Sequence, residues 1–194
     1  MLQVQYTAGT TLFDGEAYSP EYLEFHHPSE HFVSSKQFDL ELQIHHVHRS
    51  DPSKRLAVVV LFVLSLYDNP FLEELQFTDL PGRAGDSNRL LAPFNPGHGM
   101  PMNPDYFDYD GSLTAPPCTE GVKFVVMNER PGVSSEQVWA LRLAALHHFG
   151  SNAPGLCIHT RLKATRIRWN QPSPSRLRPP FSTCLSVHVH RTPC

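Results

Sequence analysis

The sequence predicts a mainly β domain with a central twisted, largely antiparallel sheet and a few peripheral helices. Residues 22–48 contain two stretches in which side-chain character alternates with the two-residue period of a strand. Residues 56–64 form a continuous apolar run, which is typical of a strand buried on both faces. The chain also contains 18 prolines, which favour loops over long helices.

The first alternating region predicts a hairpin whose turn is formed by Ser34, Ser35 and Lys36. Glu24 and His26 share one face of its first strand because side chains repeat every two residues. The same rule places Glu41, Gln43 and His45 on one face of the second strand. We therefore expect a surface on which Glu24, His26, Gln43 and His45 lie within reach of one ion or small ligand; a polar face turned to solvent is the alternative.

The remaining strands and loops follow from simpler patterns. Residues 2–6 alternate and predict a strand, and residues 122–128 predict another. Residues 71–75 predict the start of a short helix after the Asn69-Pro70 break. Residues 80–104 are rich in Gly, Pro and Asn and predict a long loop.

One longer helix is predicted near residue 135. Ser134 and Gln137 have the spacing of a capping box, in which each side chain bonds the backbone N–H of the other residue. Apolar residues then follow at helical spacing, and they predict a broad buried face: Val138, Trp139, Leu141, Leu143, Ala145 and Leu146. Gly150 is the expected end of the helix.

The composition indicates a globular protein with 40% hydrophobic and 18% charged residues. We expect one domain over residues 1–172 and a basic, proline-rich, irregular extension over residues 173–194. The longest apolar run is shorter than the roughly 20 residues that span a bilayer, so no transmembrane segment is expected. Four cysteines without a CxxC pair argue against a structural zinc knuckle.

Charge is distributed unevenly along the chain. The net charge is −3, yet no Asp or Glu follows Glu136, whereas eight Arg and Lys residues do. Such a basic part can dock on an acidic partner surface; a solvated tail is the alternative. The basic part contains no recognisable nucleic-acid-binding module, so nucleic acid is not an expected partner.

Two motifs resemble the α-class carbonic anhydrases. That family carries H-x-H, then S-E-H, then E-x-H, and later Y-x-G-S-L-T-x-P-P-x-x-E. Here Ser29-Glu30-His31, Glu41 and residues 109–120, YDGSLTAPPCTE, match these patterns. The resemblance extends from about residue 12 to residue 176, and it implies that family's fold, its reversible hydration of carbon dioxide and its catalytic zinc.

The same resemblance shows where this chain departs from the family. The three zinc-binding His positions correspond to Glu24, His26 and Gln43, so two of the three ligands are changed. Catalytic zinc requires three protein ligands and one open position, and a neutral amide is a poor ligand. The expectation is therefore an inactive protein without a metal cofactor. As the alternative, Glu24, His26 and His45 could form a two-His-one-carboxylate zinc site.

The resemblance also assigns roles to residues around the ligands. It implies that Thr114 accepts from a zinc-bound hydroxide and donates to Glu30. Glu41 orients the third ligand, here Gln43, and His31 and Tyr109 are expected to support the same region. The expected lining of the substrate pocket is Leu113, Ala115, Val122 and Phe124.

These expectations favour a catalytically inactive structural or binding subunit of a larger protein assembly, with other protein subunits, or a membrane complex, as partners. The alternative is a carbonic anhydrase with a rewired metal site; a product without function is a third. Relative to the family the chain lacks an N-terminal part, and we expect an open sheet edge there. No targeting segment is visible, and family members occur in several compartments, including organelles (thylakoid lumen, mitochondrion) and the secretory route.

Overall fold

A computed structural model describes residues 2–81, 86–114 and 118–144, together with the backbone of residues 145–146, 168–169 and 188–190. Most of the elements are strands: β1 (Leu2–Gln5), β2 (Thr11–Phe13), β3 (Glu16–His26), β4 (Phe32–Val33), β5 (Lys36–Gln37), β6 (Leu40–His48), β7 (Arg55–Ser65), β8 (Ser87–Arg89), β9 (Tyr106–Ser112), β10 (Glu120–Met127), β11 (Gly132–Ser134), β12 (Arg168–Trp169) and β13 (His188–His190). The helices are α1 (Pro70–Glu74), α2 (Ser135–Leu146) and a 3-10 turn at Pro96–Gly99.

Eleven strands form one sheet, whose main path runs β12-β9-β10-β7-β6-β3-β1-β13-β8. Strands β10 and β11 pair with β7 in parallel, and the other described pairs are antiparallel. The predicted mainly β, largely antiparallel fold is therefore confirmed. The apolar run at residues 56–64 lies in β7, in the middle of the sheet, because its residues can be buried on both faces.

The two faces of the sheet bury two different apolar clusters. The larger cluster includes Leu23 and Phe25 of β3 and Val58 of β7. The smaller one includes Val59 of β7 and Phe124 of β10, which point to the opposite face. We call this second face the site face, because the polar residues predicted from residues 22–48 lie on it.

Helix α2 begins where the capping box predicts. The backbone N–H of Gln137 donates to Ser134 Oγ at 3.2 Å, and the Gln137 side chain accepts from the Ser134 N–H at 3.4 Å. Val138 and Leu141 are buried, but the prediction of a broad apolar face was wrong for Trp139 and Leu143. They are 51% and 38% exposed, because the buried stripe of the helix is narrow and runs through Val138 and Leu141.

Some further predictions need correction, and others concern residues that the structure does not describe. The loop expected at residues 80–104 contains β8 and the 3-10 turn. An open sheet edge was expected on the N-terminal side, but β1 pairs with β3 on one side and with β13 on the other. In the part predicted to be irregular, the description covers only the backbone of β13, and Gly150 lies outside it. Within the described residues, no helix is long and apolar enough to cross a membrane.

Candidate functional site

The pairing of β3 with β6 brings the predicted polar residues together. Glu24 lies opposite Gln43, and His26 lies opposite Glu41. Directly opposed residues in a sheet share a face, so these side chains lie together on the site face. The connection turns at Ser34 and Ser35, both in the left-handed region with φ of 51° and 63°, which suits the tight turn between β4 and β5.

Glu24, His26 and His45, called here the Glu24 cluster, form the centre of this surface. Nε2 of His45 is 3.4 Å and Nε2 of His26 is 3.6 Å from the same oxygen, Oε2 of Glu24. These separations are long for hydrogen bonds. Both Nε2 atoms are buried and have no hydrogen-bond partner, so two lone-pair or N–H groups converge on one carboxylate oxygen.

Electrostatics in the cluster favours the charged forms of Glu24 and His26. Burial would raise the pKa of Glu24, but the facing rings of His26 and His45 outweigh it and lower that pKa to about 2. Burial would lower the pKa of His26, but Glu24, and next Glu30, raise it overall. The His26 ring contacts both carboxylates, since its Nδ1 lies 3.4 Å from Glu30 Oε1.

Gln43, which is expected at the third family position, contacts two carboxylates. Its amide Nε2 donates to Glu41 Oε1 at 2.6 Å and to Glu30 Oε2 at 3.4 Å. The Thr114 hydroxyl donates to the same Glu30 oxygen at 2.8 Å. The contact expected between Thr114 and Glu30 is therefore present, and Glu41 accepts from the amide of Gln43.

Glu41 anchors a buried network behind Gln43. It accepts from the backbone N–H of His31 at 2.8 Å and from His31 Nδ1 at 2.7 Å. His31 Nε2 in turn meets the Tyr109 hydroxyl at 2.5 Å. Burial would raise the pKa of Glu41, but the attraction and hydrogen bonds of His31 lower it to about 2. Burial, followed by Glu41 and Glu30, raises the pKa of Tyr109.

The predicted pocket residues lie in the apolar cluster of the site face. Val122 and Phe124 are buried there, and Leu113 packs against them. The Tyr109 ring stacks on Phe124 with centroids 4.9 Å apart. Tyr109 therefore connects the apolar cluster to the polar network of His31 and Glu41. Ala115 lies outside the described residues.

One contributor was missed by the sequence analysis. Tyr22 lies opposite His45 and stacks on its ring, with centroids 4.5 Å apart and an interplanar angle of 21°. Burial, then Glu24 and Glu21, raise the pKa of Tyr22 to about 12. The signal was available, because Tyr22 precedes Glu24 by two residues and must share its face.

His27, His46 and His48 alternate along the chain with His26 and His45, so the two-residue period of a strand places them on other surfaces. His46 is buried on the other face, where it contacts Thr11 and the Leu56 carbonyl. His48 packs edge-on against Tyr18, and His27 contacts the Asp39 carbonyl. None of these three shares the surface of the Glu24 cluster.

Glu24, His26 and Gln43, the residues expected at the family zinc positions, do not form a three-His centre. Glu24 offers a carboxylate rather than an imidazole, and Gln43 directs its amide nitrogen, a donor, towards Glu41. Among the described residues, no group of three or more His, Cys, Asp or Glu side chains is already arranged to hold a metal ion. These positions therefore do not supply the ligand set of a catalytic zinc ion.

Comparison with known proteins agrees with the fold and the motifs. Residues 2–176 match the model of the eukaryotic-type carbonic anhydrase family. Dioscorin DB3S from Dioscorea polystachya is 34% identical over 154 residues, which cover 79% of this chain and 56% of that protein. Alpha carbonic anhydrase 7 from Arabidopsis thaliana is 33% identical over 155 residues, 79% of this chain and 55% of that protein.

Solved structures show the same relationship. The α-carbonic anhydrase of Photobacterium profundum superposes with a TM-score of 0.64 at 28% identity, over 74% of this chain and 73% of that chain. Dioscorin complexed with ascorbate superposes with a TM-score of 0.58 at 28% identity, over 74% of this chain and 64% of that chain. The chain spans little more than half the length of the two sequence relatives named above. From the matched residues and the shared fold, the chain belongs to the eukaryotic-type carbonic anhydrase family.

Proposed function

We propose that this protein is a catalytically inactive member of its family and acts as a structural or binding subunit of a larger protein assembly. The observation that carries the proposal is the hydrogen bond from Gln43 Nε2 to Glu41 Oε1, 2.6 Å long. This bond directs the N–H donor of Gln43, the residue expected at the third family position, towards a buried carboxylate. A zinc ligand must instead offer a lone pair.

The charges of the polar site are also balanced without a metal ion. The charge of Glu24 is compensated by the two facing imidazoles, and the raised pKa of His26 favours its cationic form. Zinc hydration chemistry needs a cation that lowers the pKa of a bound water. A protonated imidazole paired with a carboxylate offers no coordination position to a water molecule.

Support for a binding role comes from apolar side chains near the end of β7. Leu64, Leu66 and Tyr67 are 56%, 94% and 80% exposed. Strand β11 pairs with β7 at Val63–Ser65, and α2, with its exposed Trp139, begins directly after β11. Large apolar side chains that are exposed close together are typical of a surface that contacts another protein. The acidic and basic parts of the sequence add a means of orienting such contacts.

The alternative function is carbon dioxide hydration through a rewired metal site. One observation favours it: Thr114 still donates to Glu30 at 2.8 Å, the contact that orients the nucleophile in the family that this sequence resembles. The same contact also ties two chain segments together, so it can be retained for folding alone. Activity measurements separate the two functions.

The decisive experiment measures bound zinc and carbon dioxide hydration in the wild-type protein and in the double variant Glu24→His, Gln43→His. The double variant restores three imidazoles at the family positions, so it should bind zinc and gain hydration activity, whereas the wild type should show no hydration. The matched control, Glu24→His with Gln43→Asn, restores only one imidazole and keeps an amide at residue 43. Hydration by the wild type that is lost in His26→Ala would contradict inactivity.

The assembly role is tested separately. We expect the protein in extracts of its native source to sediment as part of a larger complex, and Leu66→Ser with Tyr67→Ser to weaken that association. Leu91→Ser is the matched control, because Leu91 is 90% exposed but lies before the Pro96–Gly99 turn rather than near the end of β7. A monomer that melts cooperatively and has no partner in its native source would refute the binding role.

A further inference from the structure

We propose that Tyr109 is a redox-active tyrosine, which gives one electron to an external oxidant while its phenolic proton passes to His31. In this step the O–H bond of Tyr109 breaks and an N–H bond forms at Nε2 of His31. The products are a neutral phenoxyl radical, an imidazolium ion and the oxidant reduced by one electron. The oxidant is an outer-sphere one-electron acceptor, such as a high-potential metal complex. This activity is separate from carbon dioxide hydration and from the binding role proposed above.

The first argument is the hydrogen bond between the two side chains. His31 Nδ1 lies 2.7 Å from Oε1 of Glu41, a carboxylate that is ionised because its pKa is lowered to about 2. An ionised carboxylate can only accept, so Nδ1 carries the ring proton and Nε2 presents a lone pair. The Tyr109 hydroxyl donates to that lone pair at 2.5 Å. A phenol becomes a strong acid once it loses an electron, and here the base that takes its proton is already in place.

The second argument is the charge of the surroundings. Before oxidation the three hydrogen-bonded groups carry the single negative charge of Glu41, and after oxidation the imidazolium of His31 neutralises it. Glu41 is fully buried, and a buried carboxylate is stabilised by a paired cation. Burial, followed by Glu41 and Glu30, raises the pKa of Tyr109. The same two carboxylates favour the oxidised state, because that state is more positive by one charge.

The third argument is the packing of the Tyr109 ring. It stacks on Phe124 with an interplanar angle of 7°, and the His31 ring packs against Phe124 with centroids 5.5 Å apart. Phe124 is buried, so it holds both rings from one side. Tyr109 itself is half-buried, which lets an electron leave to an oxidant at the surface. The covered ring face hinders coupling of the radical to a second phenoxyl radical.

Two other tyrosines show why Tyr109 is distinguished. The Tyr18 hydroxyl donates to Oε2 of Glu16 at 3.1 Å, and a carboxylate with a lowered pKa is a much weaker base than an imidazole. Tyr22 contacts His45 through stacked ring faces, with centroids 4.5 Å apart. Among these three described tyrosines, Tyr109 is the one whose hydroxyl is hydrogen-bonded to an imidazole nitrogen.

The experiment oxidises the full-length protein at pH 8 with photogenerated tris(bipyridine)ruthenium(III) and records the electron paramagnetic resonance spectrum of the frozen sample. Free thiols such as Cys118 are alkylated first, because they are oxidised readily. We expect the spectrum of a neutral tyrosyl radical, and Tyr109→Phe should remove most of it. Glu41→Gln, at a residue that positions His31, should slow radical formation by more than about tenfold, because an amide does not stabilise the imidazolium. Circular dichroism establishes that each variant is folded.

A matched control and a measurement on the wild type make the outcome specific. Tyr18→Phe removes another buried phenol and should leave the radical yield unchanged. In the wild type, electron–nuclear double resonance should detect a proton between His31 and the phenoxyl oxygen that exchanges in D₂O, a test that does not depend on the folding of any variant. A radical that survives in folded Tyr109→Phe, or a wild-type radical without this proton, would overturn the inference, as would the absence of a tyrosyl radical. Hydration activity is measured separately, so a hydrating wild type would refute the proposed inactivity without affecting this assignment.

Discussion

Acidification should destabilise this protein through one buried histidine that lies outside the candidate site. His46 is 3% exposed, its Nε2 lies 2.9 Å from Thr11 Oγ1, and its Nδ1 lies 3.3 Å from the Leu56 carbonyl oxygen. A carbonyl can only accept, so Nδ1 carries the proton and Nε2 accepts from the Thr11 hydroxyl. The neutral ring is therefore satisfied, and a charged ring would be buried without a counter-charge.

The sign and size of the effect follow from linkage. Burial lowers the pKa of His46 from 6.5 to about 4. The unfolded chain therefore binds more protons than the folded one between these values, and stability falls as the pH falls. The full effect is about 3 kcal/mol, of which about 1.5 kcal/mol is lost between pH 6.5 and pH 5. A chain of this length should lose about 3–6 °C in Tm over that step.

Groups of the candidate site that have shifted pKa values affect stability in other pH ranges. Glu24 and Glu41 have pKa values lowered from 4.5 to about 2, so they lose their stabilising contribution only as the pH falls below about 4.5. The pKa of His26 is raised above 6.5, so its contribution is complete below 6.5 and is lost as the pH rises through its folded value. The step from pH 6.5 to pH 5 thus isolates His46 among these groups.

The assay is urea unfolding followed by far-UV circular dichroism at pH 6.5 and pH 5. The comparison variant is His46→Gln, since glutamine keeps one donor and one acceptor but does not titrate in this range. We expect the wild type to lose about 1.5 kcal/mol more than the variant over this step. Equal losses in both proteins would refute the assignment of His46 as a buried neutral ring.

Three further predictions concern stability. Tyr109→Phe leaves Nε2 of buried His31 without its partner at 2.5 Å and should cost about 1–3 kcal/mol in urea unfolding; an unchanged midpoint would contradict the network. Ser134→Ala removes the hydroxyl that caps α2 at 3.2 Å and should lower stability by about 1 kcal/mol, with Ser134→Thr retaining most of it. Ser34→Asn with Ser35→Gly should raise Tm by relieving the cost of positive φ at both positions, a gain of about 0.5–1 kcal/mol after the entropy cost of glycine; a lower Tm would count against the turn.

Local patterns in the sequence were sufficient for much of the fold. The apolar run at residues 56–64 indicated the central strand, because only a strand with two covered faces tolerates such a run. Ser134 and Gln137 marked the start of α2, because a capping box is a contact between residues three positions apart. The two-residue period alone placed Glu24 and His26 on one face, since alternate side chains in a strand point to opposite faces.

The two-residue period could not predict how those side chains contact one another. That His26 and His45 both direct Nε2 to one oxygen of Glu24 depends on the register between β3 and β6 and on ring rotations. The parallel pairing of β10 with β7 and the exposure of Trp139 likewise depend on contacts between distant segments. The sequence by itself determined which residues share a face. Only the tertiary structure decided which atoms converge there, because side-chain rotation and strand register follow from packing between parts of the chain that local periodicity does not connect.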